Sequence, residues 1–185
     1  MAALVGSGRA VVYPIYQGTY ERRTEQQQQG LRPLGPAGLR DLFIAEAKDF
    51  RRTIDYLESR PDIQSDKLAY MGLSWGAAMG AILPAVEKRV KVSVLMIGGL
   101  FLEGAPPEIA QVNFAPRNAA PTLMLNGRAD FTFPVETSQR PLFRLLGAPP
   151  EHKRHVLFDT GHALKPEQIA SEAYAWLDRY LGMVK

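Results

Sequence analysis

Five short stretches of the chain are almost continuously apolar: Ala10–Tyr16, Lys67–Leu73, Lys91–Ile97, Pro121–Asn126 and Arg154–Phe158. A strand with one face in water alternates apolar and polar residues. These runs do not, which is the pattern of parallel strands covered on both faces. Between them the period changes. Leu39, Leu42, Phe43, Phe50, Ile54 and Leu57 recur at spacings of three, four and seven and predict an amphipathic helix ending before Pro61. Trp75 to Glu87 reads as a helix of small residues, with Pro84 as a kink or early stop. Pro134 to Leu146 reads as a third, with Pro134 suited to its first turn, and Pro166 to Leu181 as the last, with Ile169, Ala173, Trp176, Leu177 and Tyr180 on one face. Strand alternating with helix predicts an α/β fold, a three-layer sandwich around a mostly parallel sheet of about five strands.

Two segments break the pattern. Glu21–Gly38, with QQQQ and two prolines, reads as an exposed loop. Gly98–Pro121 is rich in Gly, Pro and Ala and follows the third strand. Open α/β sheets place their crevices at the carboxyl ends of strands, so this segment is expected to shape a pocket. No internal repeat or compositional boundary divides the chain. Its 185 residues, 46% of them hydrophobic, suit one domain over 1–185.

Composition removes several classes of function. The net charge is +3, and Lys and Arg are scattered among Asp and Glu, so no nucleic-acid partner is expected. Without cysteine there is no disulfide, thiolate chemistry or cysteine metal site. Three histidines without an HExxH pattern argue against a metal, and no cofactor is expected. The longest apolar stretch, Val92–Leu102, is interrupted by Ser93, Gly98 and Gly99 and falls short of the ~20 residues that span a bilayer. The first residues lack a basic region followed by a long apolar core. The expectation is a soluble, cytoplasmic protein with no membrane partner.

The chemistry enters with GLSWG, residues 72 to 76, which joins an apolar strand to a small-residue helix. A serine at such a turn is held at the tip of a strained elbow, and glycines on either side let strand and helix approach. The turn presents the Ser74 hydroxyl and directs the Trp75 N–H toward a developing oxyanion. The bland alternative is a strand-to-helix turn with a capping serine, and a GxSxG pattern arises by chance in roughly one chain in twenty of this length. Serine also needs a base and the base an orienting acid. His152 lies in the charged turn EHKR and His155 within the last strand run. His162 follows that strand in FDTGH, at the same end of the sheet as Ser74, and is the expected base. Asp130, after the fourth run, is the expected acid, though aspartate is also a common helix cap; Asp159 is its competitor. The order Ser, Asp, His along the chain is that of α/β-hydrolases.

VVYPIYQGTYER (Val11–Arg22), GLSWG, NFAPR (Asn113–Arg117), PTLMLNGRADFTFPVETSQRPLF (Pro121–Phe143) and the closing Gly161–His162 extend this across nearly the whole chain. With them the sequence resembles the α/β-hydrolase superfamily, in its dienelactone-hydrolase and prolyl-oligopeptidase-like branch. The resemblance implies a serine esterase with Ser74 as nucleophile, Asp130 as acid and His162 as base. It also implies a departure. GRAVVYP resembles the fourth strand of the full sheet, and nothing here matches the HG-type loop that supplies a second oxyanion N–H. The chain reads as a shortened hydrolase fold without a cap domain. Two repairs are expected. Ala10–Tyr16 would take the vacant place beside the nucleophile strand, bringing the Tyr16 and Gln17 N–H groups near Ser74. Exposed sheet edges would pair between copies, giving a homo-oligomer. The expected activity is a carboxylesterase acting on small short-acyl esters. Its rivals are a serine peptidase and a non-catalytic hydrolase-fold fragment that binds a ligand or partner.

Overall fold

The computed structural model describes residues 2–25, 34–101 and 105–184. The chain divides into two compact units. The first is 1–65 with 106–109 and 184–185; the second is 66–105 with 110–183.

The first unit contains the short helix α1 (Ala2–Gly6), a 3-10 turn at Tyr20–Arg22 and the long helix α2 (Gly35–Glu58). Helix α2 buries Leu42, Phe43, Phe50 and Ile54, the face its sequence periodicity marks, together with Glu46. Ala10–Tyr16 is not a strand. Pro14 has no N–H to give a ladder. The Ile15 carbonyl accepts from Arg22 Nη1 at 2.6 Å, and the Tyr16 carbonyl from the Thr19 N–H and hydroxyl at 3.0 and 2.7 Å. The turn after the segment therefore takes up its last two carbonyls. Within the expected loop Glu21–Gly38, residues 26–33 lie outside the described residues, and α2 already begins at Gly35.

The second unit runs β1 (Leu68–Leu73), α3 (Trp75–Met79), α4 (Leu83–Val86), β2 (Val90–Met96), α5 (Gln111–Phe114), β3 (Thr122–Gly127), α6 (Arg140–Leu145), β4 (Lys153–Phe158) and α7 (Pro166–Leu181). Among the described residues the sheet has four strands, all parallel, in the order β1-β2-β3-β4. Burial follows this order. All of β3 is buried, and Lys91 is the one exposed residue of β2, whereas the edge strand β4 is only half-buried. Helix α3 packs on β1 and β2, and α7 packs on β2 and β3, with Ala173, Trp176 and Leu177 buried. Each fully buried Val, Leu or Met contributes about 1.5–3 kcal/mol relative to exposure, so β2 and β3 anchor the unit.

Prolines divide the predicted helices. Trp75–Glu87 separates into α3 and α4, with Pro84 in the first turn of α4, where its missing N–H costs nothing. Pro134 precedes a π-helical turn, Val135–Gln139, and Pro141 stands at the start of α6. Gly98–Pro121 carries α5 and a 3-10 turn at Ala115–Arg117; its residues 102–104 lie outside the described residues. Among the described residues no helix is long and apolar enough to cross a membrane.

Candidate active site

Strand β1 ends at Leu73 and α3 starts at Trp75, so Ser74 alone makes the turn. Its φ of 51° and ψ of −107° lie in a region that L side chains rarely occupy. The surroundings hold it there. The Ser74 N–H donates to the Met96 carbonyl at 2.9 Å, and its carbonyl accepts the Ala78 N–H at 2.9 Å. Strand and helix nearly touch behind it. A Cβ on Gly72 would lie 2.3 Å from the Gly76 carbonyl oxygen, so only glycine fits.

Ser74 and His162 come from opposite edges of the sheet, after β1 and β4. Three strand spacings separate those edges, roughly 14 Å. The gap closes because the chain after β4 turns inward. The Thr160 carbonyl accepts the Ala129 N–H at 2.9 Å. Gly127, at the end of β3, leaves room for this path, since a Cβ there would meet the Gly161 carbonyl at 2.0 Å. His162 Nε2 then lies 2.8 Å from Ser74 Oγ, and His162 Nδ1 lies 2.9 Å from Asp130 Oδ2.

Asp130 is 2% exposed. Its Oδ1 accepts the Thr132 N–H at 2.8 Å and the Phe133 N–H at 3.1 Å, leaving Oδ2 for the histidine. A carboxylate so placed fixes the tautomer: Nδ1–H donates to it, and Nε2 keeps the lone pair that accepts the serine proton. Asp159, the competing acid, is exposed and paired with Arg128 at 3.0 Å. His152 bonds the Tyr180 hydroxyl at 2.9 Å, and His155 packs on Phe143 with centroids 5.5 Å apart. Burial, then the Arg140 charge, lowers the His155 pKa to about 4. Among the described residues no group of His, Asp and Glu could hold a metal ion.

Trp75 opens α3, its N–H directly following Ser74. Tyr16 and Gln17, the expected second donors, belong to the first unit. The Gln17 N–H donates to Asp49 Oδ2 at 2.7 Å, in a cluster completed by Arg22. The carboxylate claims the donor that the sequence reading assigned to an oxyanion.

Some residues around the site were not singled out from the sequence. Phe133 packs on the His162 ring with centroids 5.8 Å apart. Phe101 lies 6.3 Å from Phe133 and 5.2 Å from Trp75. Gln139 is wholly buried and donates to the Gly127 carbonyl at 3.0 Å and the Phe133 carbonyl at 2.6 Å. Gln111, also buried, donates to Ala78 and Gly99 and accepts the Phe101 N–H at 2.7 Å. The aromatic spacing in DFTFP was a visible signal. Nothing in TSQRP distinguishes Gln139 from a surface glutamine.

A serine on a strained strand-to-helix elbow, with aspartate and histidine delivered by later strands of one parallel sheet, defines the α/β-hydrolase fold. The chain belongs to the dienelactone hydrolase family, whose model matches residues 2–180. Solved structures share its fold. A cold-adapted esterase from an Arctic intertidal metagenomic library has a TM-score of 0.61 and 24% identity, covering 81% of this chain and 63% of that one. An acetyl xylan esterase from Paenibacillus sp. R4 has a TM-score of 0.66 and 20% identity, covering 80% of this chain and 55% of that one. Acetyl xylan esterase 1 from a Thermoanaerobacterium species has a TM-score of 0.64 and 19% identity, with coverages of 79% and 56%. The chain thus spans less than two thirds of each of these three. A comparison with curated proteins finds no match.

Proposed function

We propose that the protein is a serine carboxylesterase acting through an acyl-enzyme on Ser74. The observation that carries this reading is the unbroken hydrogen-bonded line from Ser74 Oγ through the His162 ring to Asp130 Oδ2. His162 Nε2 takes the hydroxyl proton as Ser74 Oγ attacks the ester carbonyl. The Trp75 N–H donates to the oxyanion that develops. Asp130 holds the imidazolium. His162 then returns the proton to the leaving alcohol, and the C–O bond breaks. Water, deprotonated by the same nitrogen, attacks the acyl-enzyme and releases the carboxylic acid and Ser74.

Membership of the dienelactone hydrolase family supports ester chemistry. The strain at Ser74 supports catalysis over a purely structural turn, because a turn needs no unfavourable φ at a serine. The burial of Asp130 weighs against a binding fragment. Sequestering a carboxylate is costly, and here one of its oxygens is held by two backbone N–H groups while the other orients a histidine. The test is hydrolysis of p-nitrophenyl acetate by the wild-type chain and Ser74→Ala in parallel. Turnover that falls to background in the folded variant is expected. Equal rates in both would remove Ser74 from the reaction.

A further inference from the structure

Helix α3 follows Ser74 directly and is five residues long, Trp75–Met79. A helix that short makes too few internal hydrogen bonds to hold its own place. Strand β1 supplies the anchor. Tyr70 and Gly72 are alternate residues of the strand and share a face, and both are directed at one atom of α3, the Gly76 carbonyl oxygen. Gly72, with no side chain, leaves that oxygen room to settle on the strand, and Tyr70 Oη donates to it at 2.5 Å. The Gly80 N–H donates to the same oxygen at 3.0 Å. Tyr70 and Gly76 are six positions apart with Ser74 between them, so this bond ties the incoming strand to the outgoing helix across the strained residue.

A buried tyrosine hydroxyl needs a partner, and any carbonyl would serve that need. The one it has lies in the turn that aims the oxyanion donor. Unfavourable backbone angles such as those of Ser74 persist only where the surroundings over-determine them. The ψ of Ser74 sets the plane of the Ser74–Trp75 peptide, and with it the direction of the Trp75 N–H. The carbonyl of that same peptide accepts the Ala78 N–H at 2.9 Å, within α3, so the plane turns as the helix turns. We infer that Tyr70 is a positioning residue for the oxyanion donor: its hydroxyl, bonded to the Gly76 carbonyl, locks α3 onto β1 and keeps Ser74 from relaxing. This rests on the serine-esterase reading of the same site. The lock acts on the transition state, where the carbonyl oxygen carries charge, and hardly on the bound ester.

Tyr70→Phe deletes one oxygen and keeps the ring. Its melting temperature should fall by no more than about 6 °C, the loss of one hydrogen bond in a chain of this size, so the variant is folded in the assay. With p-nitrophenyl acetate its kcat should drop about 5- to 100-fold, short of the 10²–10³-fold that losing an oxyanion donor outright costs, and KM should stay within about twofold. Trifluoroacetone supplies the readout that a merely structural hydroxyl would not move. Ser74 Oγ adds to its carbonyl, the proton passes to His162, and an alkoxide is left where the oxyanion forms. Its inhibition constant should rise by the factor by which kcat/KM falls. An unchanged kcat, or a lower kcat with an unchanged inhibition constant, overturns the assignment. If the wild type hydrolyses the ester no faster than Ser74→Ala, the esterase reading has failed, and amide hydrogen exchange decides the lock by itself. In Tyr70→Phe the Ala78 and Gly80 amides should exchange about 2- to 13-fold faster while those of β2 and β3 keep their wild-type rates. Equal exchange at Ala78 and Gly80 in the two proteins overturns it.

Discussion

The two glycines of GLSWG look equivalent in sequence, yet the structure gives them opposite roles, and alanine at each should separate them. At Gly72 an added Cβ would sit 2.3 Å from the Gly76 oxygen, 2.4 Å from its carbonyl carbon and 2.7 Å from the Ala77 nitrogen. All three are backbone atoms, so no rotamer change relieves the clash. Ordinary contact begins at 3.4 Å, so β1 and α3 must separate by about 1 Å. Overpacking of this kind costs about 1–3 kcal/mol. At roughly 2–4 °C per kcal/mol for a chain of this size, the melting temperature should fall by about 2–12 °C. Ser74 lies between the parts that move, and a displacement of about 1 Å can cost 10²-fold in rate. Gly72→Ala should therefore lose more activity than its unfolded fraction explains. At Gly76 the nearest atom to an added Cβ is Tyr70 Oη at 3.8 Å, and the position is helical. Gly76→Ala should unfold at an equal or higher temperature, with a gain of about 0.4–1 kcal/mol from reduced chain entropy. The assay is paired calorimetry and ester hydrolysis on both variants. If Gly72→Ala matches wild type in both, or Gly76→Ala is damaged as badly, the packing account of the elbow is refuted.

Other expectations concern groups behind the site. Gln139→Leu should lower the urea midpoint, because the buried Gly127 and Phe133 carbonyls lose their donor at about 1–3 kcal/mol for each group left unpaired. It should also lower kcat more than it changes KM, since the turn holding Asp130 loosens; an unchanged kcat would leave Gln139 a structural residue only. His155 should make the fold acid-sensitive. Its native pKa of about 4 lies below the ordinary 6.5, so the unfolded chain binds the extra proton, and stability is full above about 6.5 and is lost as pH falls toward 4. His155→Phe should flatten the urea midpoint between pH 6.5 and 4; an unaltered slope would place the acid sensitivity elsewhere.

Much of this arrangement could be read from residues in order. Four of the five apolar runs are strands within a residue of the expected bounds, because a parallel sheet leaves an unmistakable run of Val, Leu and Met. Ala10–Tyr16 is as apolar and is not a strand. Composition records suitability for a sheet, not whether a neighbour is there to pair with, and Pro14 and the following turn take the backbone elsewhere. Ser74, Asp130 and His162 were legible because each follows a strand at the same end. Asp130 and Asp159 could be told apart only in three dimensions, where one faces the histidine and the other Arg128. The proposed second oxyanion donor was not decidable from sequence, since nothing in YQG tells that the Gln17 N–H will meet Asp49, 32 positions later. Gln139 and Gln111 were invisible for the same reason: a glutamine is buried when backbone carbonyls await it, and those carbonyls come from distant loops.

The placement of the serine and histidine on opposite borders of the sheet has a consequence in time. The two are 88 positions apart, and β2 and β3 lie between their strands. A chain made from its amino end releases the hydroxyl long before the imidazole it is bonded to. Until β4 has docked on β3, Ser74 lacks its histidine partner. The hydrogen-bonded pair cannot exist in a half-made or half-folded molecule, so its appearance marks the moment at which the last strand has joined the rest.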